Sequence, residues 1–435
     1  MDDTGGSTGS EGRFLSPVTW PERVALLDVL RGIALLGVVV ANVWLWFSGI
    51  AFRFPEYRQE LQQLSLDSAV YFAIAVLVSG KAISTFSFLF GLGFAIQMLR
   101  ARARDRSVVP TYARRLAVLL LIGVAHLTFL WYGDILTAYA VLGFVLLLFR
   151  NRSDRTLLVW TIVLIGAVPF LMGAVPWVLS TLGMPVPPPN PAEIAARNRA
   201  TLAIFQGGSY LEILGENLHQ AAKFYLGRKA PQLLYLLGLF VFGLYVGRRR
   251  VFERIDVHRK AFQRIAAWGI PIGLAGNVAM AVLQTTMDPA EMFARPQMAL
   301  LAVLLFVGGT VPLAAGYVSL VTLLFQRAAI ARWLSLFAPV GRMALTNYLS
   351  QTVVMLLIFY PFGGGLIGRT GPTFGLAAAL AVFGVQVVVS HVWLAHFQFG
   401  PMEWVWRSLT YGARQPMGVG STRPSVPAPT SITGL

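Results

Sequence analysis

The stretch Asp28-Val-Leu-Arg31-Gly32-Ile-Ala-Leu-Leu-Gly-Val-Val-Val-Ala-Asn42 decides how this chain folds. Its apolar run continues to residue 48, close to the ~20 residues that cross a bilayer as a helix. A carboxylate and a guanidinium stand three residues apart where that helix enters the apolar layer. Charges there are costly to desolvate, so they pair with one another or serve function. At about 100° per residue, Asp28, Arg31 and Asn42 share a narrow sector of one helix face. Asn42 then lies roughly 16 Å deeper than Arg31. The first transmembrane helix presents a polar stripe rather than a plain apolar anchor.

The rest of the chain has the same character. Of 435 residues, 56% are hydrophobic and 12% charged, with a mean hydropathy of +0.66. Soluble domains carry about 25% charged residues. The expected fold class is all-α, a polytopic integral membrane helix bundle. About ten transmembrane spans are predicted, near 28–48, 83–99, 116–132, 135–149, 157–180, 231–247, 265–286, 298–325, 343–361 and 374–398. Residues 68–80 are apolar but short, and form an interfacial or extended start to the second span, with a break at Gly80-Lys81. Gly308-Gly309 and Pro312 mark a kink in the eighth.

Arginine sets the orientation. Dense basic stretches at 100–115, 150–155, 248–264 and 327–342 fall on one side when the N-terminus is cytoplasmic. The other side holds fewer, several of them in one long loop. The expectation is N-in, C-in, in the plasma (inner) membrane, multi-pass. The net charge of +16 is explained by topology and membrane lipid headgroups, not by nucleic acid. There are no cysteines, which excludes disulfides, thiol nucleophiles and iron–sulfur sites. No cleaved signal peptide is expected. The organisation is a disordered cytoplasmic tail (1–22), an N-terminal bundle (23–180), an extracytoplasmic loop (181–230), a C-terminal bundle (231–412) and a disordered tail (413–435). The loop opens Pro-rich (Pro185, Pro187, Pro188, Pro189, Pro191). It continues as amphipathic helix broken near Gly207-Gly208, as a lid over an external cavity or a surface spacer.

Few polar groups sit at membrane depth. Arg31, paired with Asp28, offers a fork of donors that matches phosphate oxygens. His126 lies about ten residues into the third span, and reads either as the best general base in the chain or as a buried imidazole hydrogen-bonded between helices. Asp134, in the turn Trp131-Tyr-Gly-Asp134, either orients His126 or caps the fourth span. Lys81 either snorkels to the interface or meets substrate. Gly91 and Gly93 read as close-packing positions, not a phosphate loop. Asn347 and Gln351 are i,i+4 neighbours, which join helices or line a substrate cavity. Asn277 and Gln284 share a face with a weaker claim. His391 and His396 are poorly placed to share a metal. No metal-ligand spacing is present.

Several blocks carry a resemblance. They are Arg23…Asp28-x-x-Arg31-Gly32, Phe86-Ser-Phe-Leu-Phe-Gly-Leu-Gly93, His126…Trp131-Tyr-Gly-Asp134-Ile-Leu-Thr-Ala-Tyr139-Ala, Gly341-Arg-Met-Ala-Leu-Thr-Asn-Tyr-Leu-Ser-Gln351 and Phe399-Gly-Pro401-Met-Glu403-Trp-Val-Trp-Arg407. Residues 23 to about 412 resemble the YeiB-type bacterial membrane proteins, a family named for a domain of unknown function. That family is distantly similar to the transmembrane acyltransferases. The resemblance implies transfer of an acyl group from cytoplasmic acyl-CoA to a glycan or lipid-linked acceptor. Acyltransferase-3 proteins have an arginine, ten residues and a catalytic histidine. Here Arg31 matches, but Asn42 stands at the histidine position and cannot act as a base.

Three readings follow. In the first, Arg31 holds the donor phosphates, helped by the arginines after the second span, with Asp28, Lys81, Asn347 and Gln351 as substrate-binding groups. His126 is the base, Asp134 orients it and Asn42 donates to the oxyanion. Acyl-CoA is a co-substrate, and no tightly bound cofactor or metal is expected. The second is a transporter or flippase for a small or lipid-linked solute. The third is a non-catalytic scaffold or sensor.

Overall fold

The computed structural model describes residues 25–63, 65–184, 190–226, 230–287, 292 and 295–418. Both expected disordered tails (apart from residues 413–418), Arg23 and the Pro-rich positions 185–189 lie outside the described residues. Ordered helices begin with α1 (Ala25–Asn42), which runs into a wider π-helical turn over Val43–Phe47. Then follow α2 (Phe54–Leu61), α3 (Leu66–Leu77), α4 (Lys81–Ala103), α5 (Val109–Phe129) and α6 (Leu136–Leu146). Next come α7 (Asp154–Ile162), α8 (Val168–Thr181), α9 (Pro191–Gly207), α10 (Tyr210–Leu226), α11 (Ala230–Arg248) and α12 (Ile255–Thr286). The chain closes with α13 (Pro296–Phe325), α14 (Ala328–Leu334), α15 (Ala338–Arg342), α16 (Ala344–Phe359), α17 (Pro372–His396) and α18 (Pro401–Tyr411).

Every predicted span falls on helix. Among the described residues, 7 helical segments are long and apolar enough to cross a membrane. Three shorter apolar helices, Leu136–Phe149, Gln232–Arg248 and Ala344–Phe359, occupy the remaining predicted positions. The architecture is therefore a helical membrane bundle. The apolar lead before the second span is itself helix, α3. It breaks from α4 at Gly80, whose φ of +80° lies in the left-handed region that favours glycine. The eighth predicted span stays helical through Gly308, Gly309 and Pro312. Residues 191–226 form two helices separated at Gly208-Ser209.

Small residues set how closely these helices approach, as expected where lipid removes most of the hydrophobic drive between helices. A Cβ on Gly91 of α4 would overlap the Phe240 carbonyl of α11, and one on Gly243 would overlap the Phe88 carbonyl. The α1–α15 contact works in the same way. A Cβ at Gly341 would overlap the Asp28 carbonyl, and one at Gly32 the Phe337 carbonyl. These contacts hold α1, α4 and α11 in fixed register. Around them, α5, α6, α15 and α16 wall a central cavity.

One end of the bundle is closed by aromatics. Phe47 stacks on Trp131 with ring centroids 4.6 Å apart. Tyr132 stacks on Phe205 of α9 at 5.6 Å. Tyr210 of α10 donates to the Phe129 carbonyl at 2.8 Å, and Asn217 donates to the Leu130 carbonyl at 3.2 Å. The helix pair α9–α10 is thereby tied across the turn that carries Asp134.

Candidate functional site

The cavity has a volume of about 920 Å³. Its walls follow from helical periodicity. On α4 it is lined by Ile83, Phe86, Phe90, Gly93, Gln97, Arg100 and Arg104, a stripe at the three- and four-residue spacing of one helix face. On α1 the lining is Asp28, Arg31, Leu35, Val38, Asn42 and Leu45. From Ile83 to Arg104 the stripe rises about 31 Å, comparable with the ~30 Å hydrocarbon thickness of a bilayer.

The two ends differ in chemistry. Arg31, Arg100, Arg104, Arg115, Arg342 and Arg407 line one end. Arg31 Nη1 donates to Asp28 Oδ1 at 2.8 Å, and the arginine side chain keeps 30% of its surface exposed. Arg115 lies over the Trp406 ring at 3.9 Å, and Trp406 Nε1 donates to the Arg115 carbonyl at 2.8 Å. Arg407 lies 4.4 Å over Phe399. Trp406 and Phe399 thus position guanidinium groups that would otherwise sweep through solvent.

Glu403 balances this end. Its carboxyl accepts the Leu345 N–H at 2.6 Å, the Thr346 N–H at 3.2 Å and the Thr346 hydroxyl. It caps the N-terminus of α16, where backbone donors favour an acceptor. Burial outweighs those bonds and raises the carboxyl above its ordinary titration range.

At the opposite end the cavity meets Trp44, Trp46, Trp131, Tyr132, Asp134, Gln220, Lys223 and Tyr235. Asp134 accepts the Leu136 and Thr137 N–H groups at 3.1 and 2.7 Å, so it caps α6. Its Oδ1 also lies 3.0 Å from His126 Nδ1, off the line a hydrogen bond needs. His126 Nε2 lies 3.0 Å from Thr352 Oγ1, and the Tyr348 ring flanks the imidazole at 5.3 Å. Asp134 therefore caps α6, and its carboxyl sits against the imidazole without a hydrogen bond to it.

Several expected substrate groups sit elsewhere. His126 is 2% exposed and packs behind Asp134 and Tyr348, outside the cavity lining. Lys81 is buried between helices, donating to Asn277 Oδ1 at 2.8 Å and the Ala75 carbonyl at 3.0 Å. Asn347 donates to Ser390 Oγ at 3.0 Å, and Gln351 donates to Gln386 Oε1 at 2.8 Å. Those amides join α16 to α17, because a buried amide takes a partner on the neighbouring helix. Lys81, Asn347 and Gln351 do not line the cavity. Asp28, Arg31, Asn42 and Asp134 do. Sequence reasoning missed Arg342 and Glu403 as cavity groups. A signal existed for α4, whose stripe changes from aromatic to cationic without losing its period. Among the described residues no cluster suits a metal ion.

Residues 246–413 match a family model described as a protein of unknown function, DUF418. The chain is 32% identical over 424 residues to the uncharacterized protein YxaH of Bacillus subtilis (strain 168), covering 93% of this chain and 98% of that one. An uncharacterized 39.9 kDa protein from the amylase 3' region of Bacillus acidopullulyticus is 28% identical over 407 residues, covering 93% and 98%. The uncharacterized protein YeiB of Escherichia coli (strain K12) is 27% identical over 407 residues, covering 91% and 98%. With relatives matched along nearly their whole length, the chain belongs to the YeiB-type DUF418 family.

Proposed function

We propose that this protein is a membrane-embedded acyltransferase, moving an acyl group from acyl-CoA to a glycan or lipid-linked acceptor. One observation carries the reading: a single cavity joins an arginine-lined end to an end that holds Asp134. The bundle lies N-in, C-in in the plasma membrane, with the arginine end cytoplasmic. Arg31 and its neighbours bind the donor phosphates, where charge-assisted forks are strongest. From Arg31 to Leu45 the α1 face rises about 21 Å, on the scale of an extended pantetheine arm. The thioester then reaches the Asp134 end.

There the acceptor oxygen attacks the thioester carbonyl carbon. The carbon–sulfur bond breaks, the acyl group passes to the acceptor and CoA leaves as a thiolate that takes up the acceptor's proton. Asn42 Nδ2 donates to the developing oxyanion. His126 and Asp134 form a buried pair beside this end and act as positioning residues, and the proton passes to the departing thiolate. Neither is placed to accept that proton directly, because both side chains are almost wholly buried.

The test is label transfer from acyl-CoA by protein in lipid nanodiscs supplied with bacterial lipid and glycan extracts. Transfer that falls at least tenfold in Asn42→Ala and Asp134→Asn supports the reading. Wild-type protein that consumes no acyl-CoA contradicts it. A transporter or flippase is the second reading, favoured by the length of the same cavity; solute movement in proteoliposomes without acyl-CoA consumption identifies it.

A further inference from the structure

Away from the arginines, the α4 side of the cavity changes chemistry. Gly80, Ala82, Ile83, Phe86 and Phe90 line it there, together with Phe306 of α13. Each keeps part of its surface exposed. The polar groups packed around this wall are already engaged. Ser84 Oγ bonds to the Gly80 carbonyl at 2.6 Å and to the Tyr235 hydroxyl at 2.8 Å. Ser87 Oγ bonds to the Ile83 carbonyl at 2.8 Å and to the Tyr139 hydroxyl at 2.7 Å. Lys81 Nζ is taken up by Asn277 and the Ala75 carbonyl. What the wall offers a ligand is carbon, with Ser79 and Gln232 adding a hydroxyl and an amide beside it.

The depth of this wall matches the reach of the donor. A Cβ on Gly93 would stand 3.5 Å from Arg31 Nη2, which places the phosphate-binding guanidinium at the Gly93 level of α4. From Gly93 to Gly80 the chain rises about 20 Å, close to the length along α1 that carries the thioester from Arg31 to Leu45. Helix α1 reaches the same level. A Cβ on Gly37 would lie 2.7 Å from that of Ala82, and Asn42 stands about 7.5 Å farther along α1. A thioester held at Asn42 therefore has the apolar wall within a few ångströms of its acyl carbon. The polar residues Asn42, Gln220 and Lys223 line the cavity from α1 and α10 instead, so acceptor and acyl group meet different walls.

We propose that the pocket formed by Gly80, Ile83 and Phe306 takes the acyl chain of the donor, and that this chain is longer than acetyl. The proposal rests on the acyl-transfer reading. An acetyl group touches little of such a wall, whereas each further methylene buried against it tightens binding about fourfold. A medium-length saturated chain such as octanoyl has no polar atom beyond its carbonyl and asks for none from the wall. Ile83 and Phe306 are then the residues that set chain length.

The test is saturation binding of labelled acetyl-, butyryl- and octanoyl-CoA to the full-length protein in nanodiscs, with uptake by empty discs subtracted. Kd should fall as the chain lengthens, octanoyl-CoA binding at least tenfold tighter than acetyl-CoA. Ile83→Trp fills the pocket and Phe306→Gln puts an amide on its wall. In each, the advantage of octanoyl over acetyl should drop below threefold. Taking that ratio within one protein cancels any general loss of affinity, and Tm reports folding. If one variant fails to fold, the other decides. An octanoyl advantage that arose from partition into lipid would survive both substitutions, and that result overturns the proposal. Equal affinity for acetyl- and octanoyl-CoA in the parent overturns it as well, while leaving acyl transfer standing. Absence of binding by every thioester removes both.

Discussion

A single carboxyl, Glu403, shows how closely the residue chemistry is tied to the fold. Its titration lies above the ordinary range because burial outweighs its hydrogen bonds. A raised folded-state value means that folding favours the protonated form. The associated stability is full below the unfolded carboxyl value of about 4.3 and is lost as pH rises through the folded value. Tm should therefore decline from pH 4 upward into the mildly acidic range, and Glu403→Gln should flatten that decline. A pH slope identical in the two proteins would refute the assignment. Asn42 makes a contrasting case, as it lines the cavity and lies on the face of Arg31. Asn42→Ala should leave Tm unchanged while lowering transfer by about 10²-fold, the usual cost of losing an oxyanion donor. His126→Ala should instead lower Tm and activity together, because it empties a buried site beside Asp134.

Part of this was legible from residues alone. The Asp28, Arg31 and Asn42 stripe follows from helical period within one element. The nearness of His126 and Asp134 follows from the turn between them. A buried His126 bonded between helices was one of its two readings, but its partners Tyr348 and Thr352 were not legible, since they lie on a helix more than 200 positions away. Asn347 and Gln351 misled for the same reason: a polar pair on one face is the same pattern whether it meets a cavity or another helix.

At the scale of elements, glycine sets the spacing. Gly91→Val should abolish the folded protein, because the added Cβ meets the Phe240 backbone rather than a yielding side chain. Gly166, with open space where its Cβ would stand, is the matched control. Gly166→Ala should yield folded protein at wild-type level, measured as the monodisperse fraction after detergent extraction. The packing role of the Gly91 run was readable from its small-residue spacing, but α11 as its partner was not. Helix α3 reads differently again. As a twelve-residue apolar segment it is too short to span alone. Its role as a lead into the second span and the break at Gly80 were readable in sequence; that the lead is itself helix, turned at the left-handed Gly80, needed the structure. The arginines of α4 and α15 were readable as topology signals, and Arg407 of α18 was not. Their convergence needed the tertiary fold, which brings Arg104, Arg342 and Arg407 to one end of one cavity.

For the whole molecule, orientation and chemistry are linked through that cavity. The absence of cysteine makes single introduced thiols unique reporters. In intact cells, Ser107→Cys should resist a membrane-impermeant maleimide and Ser209→Cys should react. The reverse pattern would place the arginine end outside, away from any cytoplasmic donor. The most direct test of the central claim is saturable binding of labelled acetyl-CoA to the protein in nanodiscs, compared with Arg31→Ala. Loss of one charge-assisted phosphate contact is worth about 1.5–3 kcal/mol, or roughly 10- to 100-fold in Kd. The account predicts saturable binding in the parent, weakened to that extent in Arg31→Ala with Tm retained. Absence of saturable binding to folded protein, or equal affinity in the two proteins, would contradict it.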